Sequence, residues 1–131
     1  KAELCIFGDI DIEPHRKFEE ETSAKAGLEA FLPLWDENRD KLAFEVINSA
    51  IKAKISVLRN DLMPENLLSS DYDEAFLNKI KKLKSIDICG ENGEFHTLVY
   101  DSPLFPKPIL LEIANTQKAG KYSFCQYKLK S

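Results

Sequence analysis

Three short apolar runs, spaced by helix-patterned stretches and followed by a strand-rich tail, constrain this chain more than any other feature. Leu4-Cys5-Ile6-Phe7 is continuous and apolar and ends at Gly8-Asp9, the pattern of a strand buried on both faces. Pro14 suits the first turn of a helix. Arg16 to Ala26 reads as a charged helix stopped by Gly27, with Phe18, Ala24 and Ala26 as its core positions. Leu28 to Leu32 is a second strand, ended by Pro33 because proline cannot donate to a ladder. Asp36 is positioned to cap a second helix whose apolar stripe is Leu42, Val46, Ile47, Ala50 and Ile51, and Ala53 to Leu58 follows as a third strand.

Arg59 to Ser70, with Pro64 and few periodic apolar positions, reads as a loop. Ser70 and Asp73 then have capping-box spacing, and Phe76, Leu77, Ile80 and Leu83 form the buried stripe of a third helix. Lys79, Lys81, Lys82 and Lys84 fall mostly off that stripe and read as a solvated face. From Ile86 the pattern changes. Gly90 to Glu94 is a polar, glycine-punctuated loop, Phe95 to Tyr100 is β-rich, and Ile109 to Ala114 and Tyr122 to Leu129 are strands around a turn at 115–120. The order β-α-β-α-β-α, then strands, predicts an α/β fold: a Rossmann-like parallel sheet with right-handed crossovers, followed by a small antiparallel β extension. The expected division is 1–88 and 89–131 within one compact unit.

Charge removes one class of function. Acids outnumber bases 22 to 18, and residues 1–66 hold 14 acids against 9 bases. Nucleic-acid binding needs clustered Lys or Arg to displace counterions from phosphates, and no such face emerges. No apolar run approaches the ~20 residues of a membrane helix, so a soluble, cytoplasmic protein with no membrane partner is expected. Cys5, Cys89 and Cys125 are odd in number and widely spaced, without the ligand spacing of a zinc site. They read as reduced thiols, and no metal site is expected. Lys1 leads straight into an apolar strand, which reads as a chain that begins within a fold.

In an open α/β sheet, ligands bind beyond the carboxyl ends of the parallel strands. Gly8-Asp9, Pro33-Leu34-Trp35 and Asn60-Asp61 follow the three predicted strands. Asp9 is suited to bind a cation or a ligand hydroxyl, or to cap the following helix. Trp35 is suited to a ligand platform or to packing, and Arg16 to ion pairs with Glu19 and Glu20. The densest concentration of reactive residue types is Cys89 to Thr97. There Gly90 and Gly93 permit positive φ, while Glu91 and Glu94 could converge on an amine, a metal or a proton in flight. His96 adds a group that titrates near neutrality and Thr97 a hydroxyl. Asn92-Gly93 is equally an ordinary turn signal.

Gly90-Glu91-Asn92-Gly93-Glu94-Phe95-His96-Thr97, followed by Val99-Tyr100-Asp101 and Pro103-Leu104-Phe105, resembles the signature of the C-terminal half of the diphthine–ammonia ligase family. These are ATP-binding proteins of the PP-loop, adenine nucleotide α-hydrolase-like superfamily. Phe7-Gly8-Asp9-Ile10, Arg16 and Glu20, Gly27-Leu28 and Pro33-Leu34-Trp35 agree in order, so the resemblance covers about residues 4 to 110. It implies ATP-dependent amidation: a carboxylate is adenylated, with Mg2+ and ATP as cofactors, and ammonia displaces AMP. It assigns Glu91, Glu94 and His96 to catalysis. Gly90, Asn92, Gly93 and Thr97 go to substrate binding, with Asp9, Arg16 and Trp35 as supporting wall.

Asn92 and His96, where relatives of archaea and eukaryotes have glycine and glutamate, resemble the bacterial branch. No Ser-Gly-Gly-x-Asp-Ser stands in the sequence, and a Gly-Arg pair expected before the third helix is replaced near Ser69-Ser70-Asp71. The expectation is therefore the acceptor-recognising C-terminal part of such a ligase. The expected partner is a PP-loop half, a sister chain or a further copy in a homo-oligomer, and the expected substrates are a carboxylate acceptor and ammonia. The alternative is a non-catalytic ligand-binding or interaction module.

Overall fold

The computed structural model describes residues 2–130 and divides them into two compact units, one ending at Leu42 and the other beginning at Ala43. In the first unit, β1 (Leu4–Ile6) pairs in parallel with β2 (Glu29–Phe31), Cys5 lying opposite Ala30. Helix α1 (Glu13–Lys25) joins them as a crossover. Pro14 occupies its first turn, where a missing N–H leaves nothing unsatisfied. Gly27, at φ +70°, ends it: the N–H of Leu28 turns back to the carbonyl of Ser23 at 3.0 Å.

The inward face of α1 departs from expectation. Phe18 is 69% exposed and Ala24 and Ala26 are also exposed, whereas Glu19 and Ser23 are buried. The apolar positions of this helix are too few to form a stripe. Its packed side is therefore set by Glu19 and Ser23, one turn apart.

Helix α2 (Arg39–Asn48) follows. Its cap is Asn38 rather than Asp36: Asn38 Oδ1 accepts the N–H of Lys41 at 2.9 Å, while Asp36 turns the chain at φ +62°. Leu42 and Ala43 are its buried residues, and Val46, expected inside, is exposed.

The α/β class holds, but the third strand does not extend the parallel pair. β3 (Lys52–Arg59) lies in a four-stranded antiparallel sheet of the second unit, between β4 (Phe95–Asp101) and β6 (Tyr122–Leu129), with β5 (Leu111–Ala119) at the far edge. Val57 faces His96 on one side and Phe124 on the other. Asn60-Asp61 therefore does not mark the rim of a parallel strand. Asn60 Oδ1 accepts the Ser123 hydroxyl at 2.6 Å, and Asp61 pairs with Arg59. β5 continues through Asn115, Thr116, Gln117 and Lys118, expected as turn, and the reversal is made by Gly120 and Lys121.

The core is built from β3, the segment after it and α3 (Glu74–Ile80): Ile55, Leu58, Met63, Leu67, Phe76, Leu77, Ile80, Ile88 and Phe95 are all buried together. A 3-10 turn at Glu65–Leu67 breaks the loop expected there and buries Leu67. Asp73 caps α3 by accepting the Phe76 N–H at 2.8 Å, while Ser70 donates to the Leu67 carbonyl and takes no part in a capping box. Among the described residues no helix is long and apolar enough to cross a membrane.

Candidate functional site

The loop between α3 and β4 is organised by two carboxylates. Glu94 is 2% exposed. Its Oε1 accepts the backbone N–H of Asp87 at 3.0 Å, its Oε2 accepts that of Asn92 at 3.1 Å, and the Asn92 side-chain amide reaches Oε1 at 3.4 Å. Asp87 answers from the other end: its Oδ2 accepts the Glu91 N–H at 2.7 Å and its Oδ1 the Cys89 N–H at 3.3 Å. Backbone bonds from Gly90 to the Asp87 carbonyl (3.1 Å) and from Gly93 to the Gly90 carbonyl (3.0 Å) make two successive tight turns. Both glycines are at positive φ, +77° and +74°. Hydrogen bonds to a carboxylate are among the stronger ones, so this interlock fixes a segment that has no strand or helix to hold it.

Each end of the loop is tied to the core. Tyr72 donates its hydroxyl to the Ile88 carbonyl at 3.1 Å, and burial pushes that hydroxyl's pKa upward. Phe95 meets Phe76 edge-on at 5.2 Å, and the Arg59 N–H donates to the Glu94 carbonyl at 2.9 Å.

The expected site residues of this segment are thus brought together in one feature, in two different ways. Glu94 points inward, and its oxygens are engaged by its own loop, so its geometry is that of an organiser. Glu91 is half-buried, and Asn92 is exposed. His96 and Thr97 are exposed on β4, where the His96 carbonyl accepts the Ser56 hydroxyl at 3.2 Å. Asp87 was not among the residues anticipated from sequence. The signal available was an Asp three positions before a glycine, the arrangement in which a short acid bonds the backbone just ahead of it. Asp71, where a Gly-Arg pair was expected, accepts from Lys54 (2.9 Å) and from the Tyr100 hydroxyl (3.0 Å); burial, then this bond, raises the Tyr100 pKa to about 12.

Asp9, Arg16 and Trp35 belong to the first unit, where Arg16 meets Trp35 and Asp9 meets His15. Asp9 Oδ1 lies 2.8 Å from His15 Nδ1. Arg16 donates to Glu20 at 2.8 Å and stacks over the Trp35 ring at 4.9 Å, a cation–π geometry. Glu19, expected to share Arg16, turns inward instead. Burial first, and then a hydrogen bond and repulsion from Asp9, raise its pKa from 4.5 to about 7, against the opposing charge of His15.

A nucleoside triphosphate makes definite demands on glycines and charges. A phosphate cradle needs a glycine-rich turn opening a helix N-terminus. Gly27 ends a helix, and Gly90, Gly93 and Gly120 lie in turns. Gly8 stands before α1 but is followed by Asp9, Asp11 and Glu13, which repel phosphate. The described residues do not fit the triphosphate. Among them there is also no group of three or more His, Cys, Asp or Glu that could hold a metal ion.

A small α/β protein with a carboxylate-clasped glycine loop packed on an antiparallel sheet is the class these observations define. Residues 38–131 match the family described as Diphthamide synthase C-terminal domain, and the chain belongs to that family. It is 33% identical over 96 residues to Diphthine--ammonia ligase of Homo sapiens, covering 71% of this chain and 36% of the relative. To the Danio rerio protein of the same name it is 31% identical over 100 residues (74% and 39%), and to that of Schizosaccharomyces pombe 30% over 115 residues (86% and 19%). The chain therefore spans well under half the length of these curated relatives.

Proposed function

We propose that this chain is the acceptor-recognising C-terminal part of an ATP-dependent amide ligase of the diphthine–ammonia ligase kind. The observation that carries the reading is the loop from Asp87 to Thr97, in which Asp87 and Glu94 accept backbone N–H groups, Glu91 is half-buried, and Asn92, His96 and Thr97 are exposed.

The chemistry required is formation of a C–N bond between ammonia and the carbonyl carbon of an adenylated acceptor carboxylate, with the acyl C–O bond to AMP breaking and AMP leaving. Nucleotide-dependent activation belongs to a PP-loop half, joined in the same polypeptide or supplied by a sister chain, because the described residues do not cradle phosphates. What this chain supplies is binding and proton handling. Glu91 attracts the ammonium donor, and Glu91 and His96 accept the two protons its nitrogen sheds, one as it becomes ammonia and one as the amide forms. Asn92 and Thr97 offer neutral hydrogen-bonding groups that orient the acceptor.

The test is amidation by the full-length protein carrying this chain, given ATP, Mg2+, ammonium and a diphthine-bearing acceptor, with the carboxylate-to-amide conversion followed by mass spectrometry. Conversion that needs ATP and falls about 100-fold in Glu91→Gln supports the reading. No conversion, or a Glu91→Gln variant indistinguishable from wild type, overturns it.

A further inference from the structure

The two carboxylates that build the loop are not equivalent in what they hold. Glu94 reaches the backbone at residues 87 and 92, the two ends of the turn. Asp87 holds the residues between: its Oδ2 takes the N–H of Glu91 at 2.7 Å, the shorter of its two contacts, while its own N–H is held by Glu94. The peptide that carries the Glu91 side chain is therefore aimed by Asp87, and Asp87 is aimed by Glu94. Gly90, immediately before Glu91, contributes no side chain to steady that peptide, and its φ of +77° lies in the left-handed region that glycine enters freely.

We propose that Asp87 is a positioning residue that sets the direction in which Glu91 meets the amine or the acceptor. The inference rests on the reading of Glu91 given above. It predicts a chain of dependence, Glu94 to Asp87 to Glu91, in which only the last member touches the ligand. A group misplaced by about 1 Å can lose about 100-fold in rate, so a hydrogen bond to one peptide N–H is enough to matter.

Asp87→Asn is the discriminating variant. It preserves size and leaves the Asp87 N–H bond to Glu94 intact, but removes the charge that holds the Glu91 N–H. Amide hydrogen exchange on the full-length protein should show the Glu91 amide exchanging about 10-fold faster or more, with the core amides of β3 and α3 unchanged. In the amidation assay the same variant should lower kcat about 10- to 100-fold with little change in the KM for ATP. Its effect should vanish when Glu91 is already Gln, the double variant being no slower than Glu91→Gln alone.

Unchanged exchange at Glu91 in Asp87→Asn overturns the inference whatever the activity. Equal loss of protection across the core, or losses that multiply in the double variant, reduces Asp87 to a merely structural part and overturns it as well. If wild-type protein fails to amidate, the ligase reading fails separately, and the exchange experiment still decides whether Asp87 holds Glu91.

Discussion

Gly90 and Phe95 approach each other so closely that a Cβ on Gly90 would lie 3.1 Å from both the ring Cζ and the carbonyl oxygen of Phe95. Phe95 is buried against Phe76 and Tyr72 and has little room to withdraw. Gly93 shares the positive φ but has open space around it. Both Gly→Ala changes incur the backbone term of about 1–2 kcal/mol, and only Gly90→Ala adds steric conflict with the core. Urea unfolding should place Gly90→Ala about 2–4 kcal/mol below wild type and Gly93→Ala no more than about 2; equal losses would show that the Phe95 contact is not limiting.

Replacing Glu94 by Ala removes the acceptor for two backbone N–H groups and empties a buried position. Each unsatisfied donor is worth about 1–3 kcal/mol, tempered here because Asn92 is exposed and water can reach its N–H. The expected loss is about 2–4 kcal/mol in denaturant midpoint analysis, together with faster amide exchange at Asp87 and Asn92. Retention of wild-type stability would contradict the burial of that carboxylate.

Glu19 gives the first unit a pH dependence of definite sign. Its folded-state pKa, raised from 4.5 to about 7 by burial and by Asp9, means that the folded state holds a proton the unfolded chain has released. The stability it contributes is full below pH 4.5 and is lost as pH rises to 7. Glu19→Gln stays neutral throughout, so the difference in Tm between variant and wild type should move in the variant's favour across that interval. A difference that is flat with pH would refute it.

Ser123 is 1% exposed, and its hydroxyl joins β6 to the end of β3 by donating to Asn60 Oδ1 at 2.6 Å. Ser123→Ala should lower stability by about 1–2 kcal/mol, and Ser123→Thr, which keeps the donor but adds a methyl to a closed position, should fail to restore it. Thermal melts of the three proteins are sufficient to check both.

Much of the second unit was legible because its residues obey one physical rule at a time. Phe76, Leu77 and Ile80 repeat at helical spacing and are buried, and Phe95 begins a strand where β-rich residues begin. The glycine loop was visible as a motif, and the family resemblance rested on it. The destination of β3 was not visible, since an apolar strand after a helix reads the same whether its neighbours run parallel or antiparallel. β5 was cut short for a related reason: Asn115 to Lys118 are exposed, so no alternation marks them, and only pairing with β6 makes them a strand. The α1 face failed where local composition and packing disagree, with Phe18 outside and Glu19 inside. Asp87 escaped because its work is done on backbone N–H groups, whose trace in the sequence is no more than a short acid three positions before a glycine.

The interlocked carboxylates separate what can be changed in this loop from what cannot. Glu94 holds both ends of the turn, so altering it dismantles the turn before it alters what the turn recognises, whereas Asp87 sets the direction of one peptide within it. Asn92, His96 and Thr97 are exposed, the Asn92 side chain meeting Glu94 through the long contact of its amide. A search for variants with a different acceptor preference has its freedom at Asn92 and Thr97, and a library randomised across the whole octapeptide would fill with loops that no longer close.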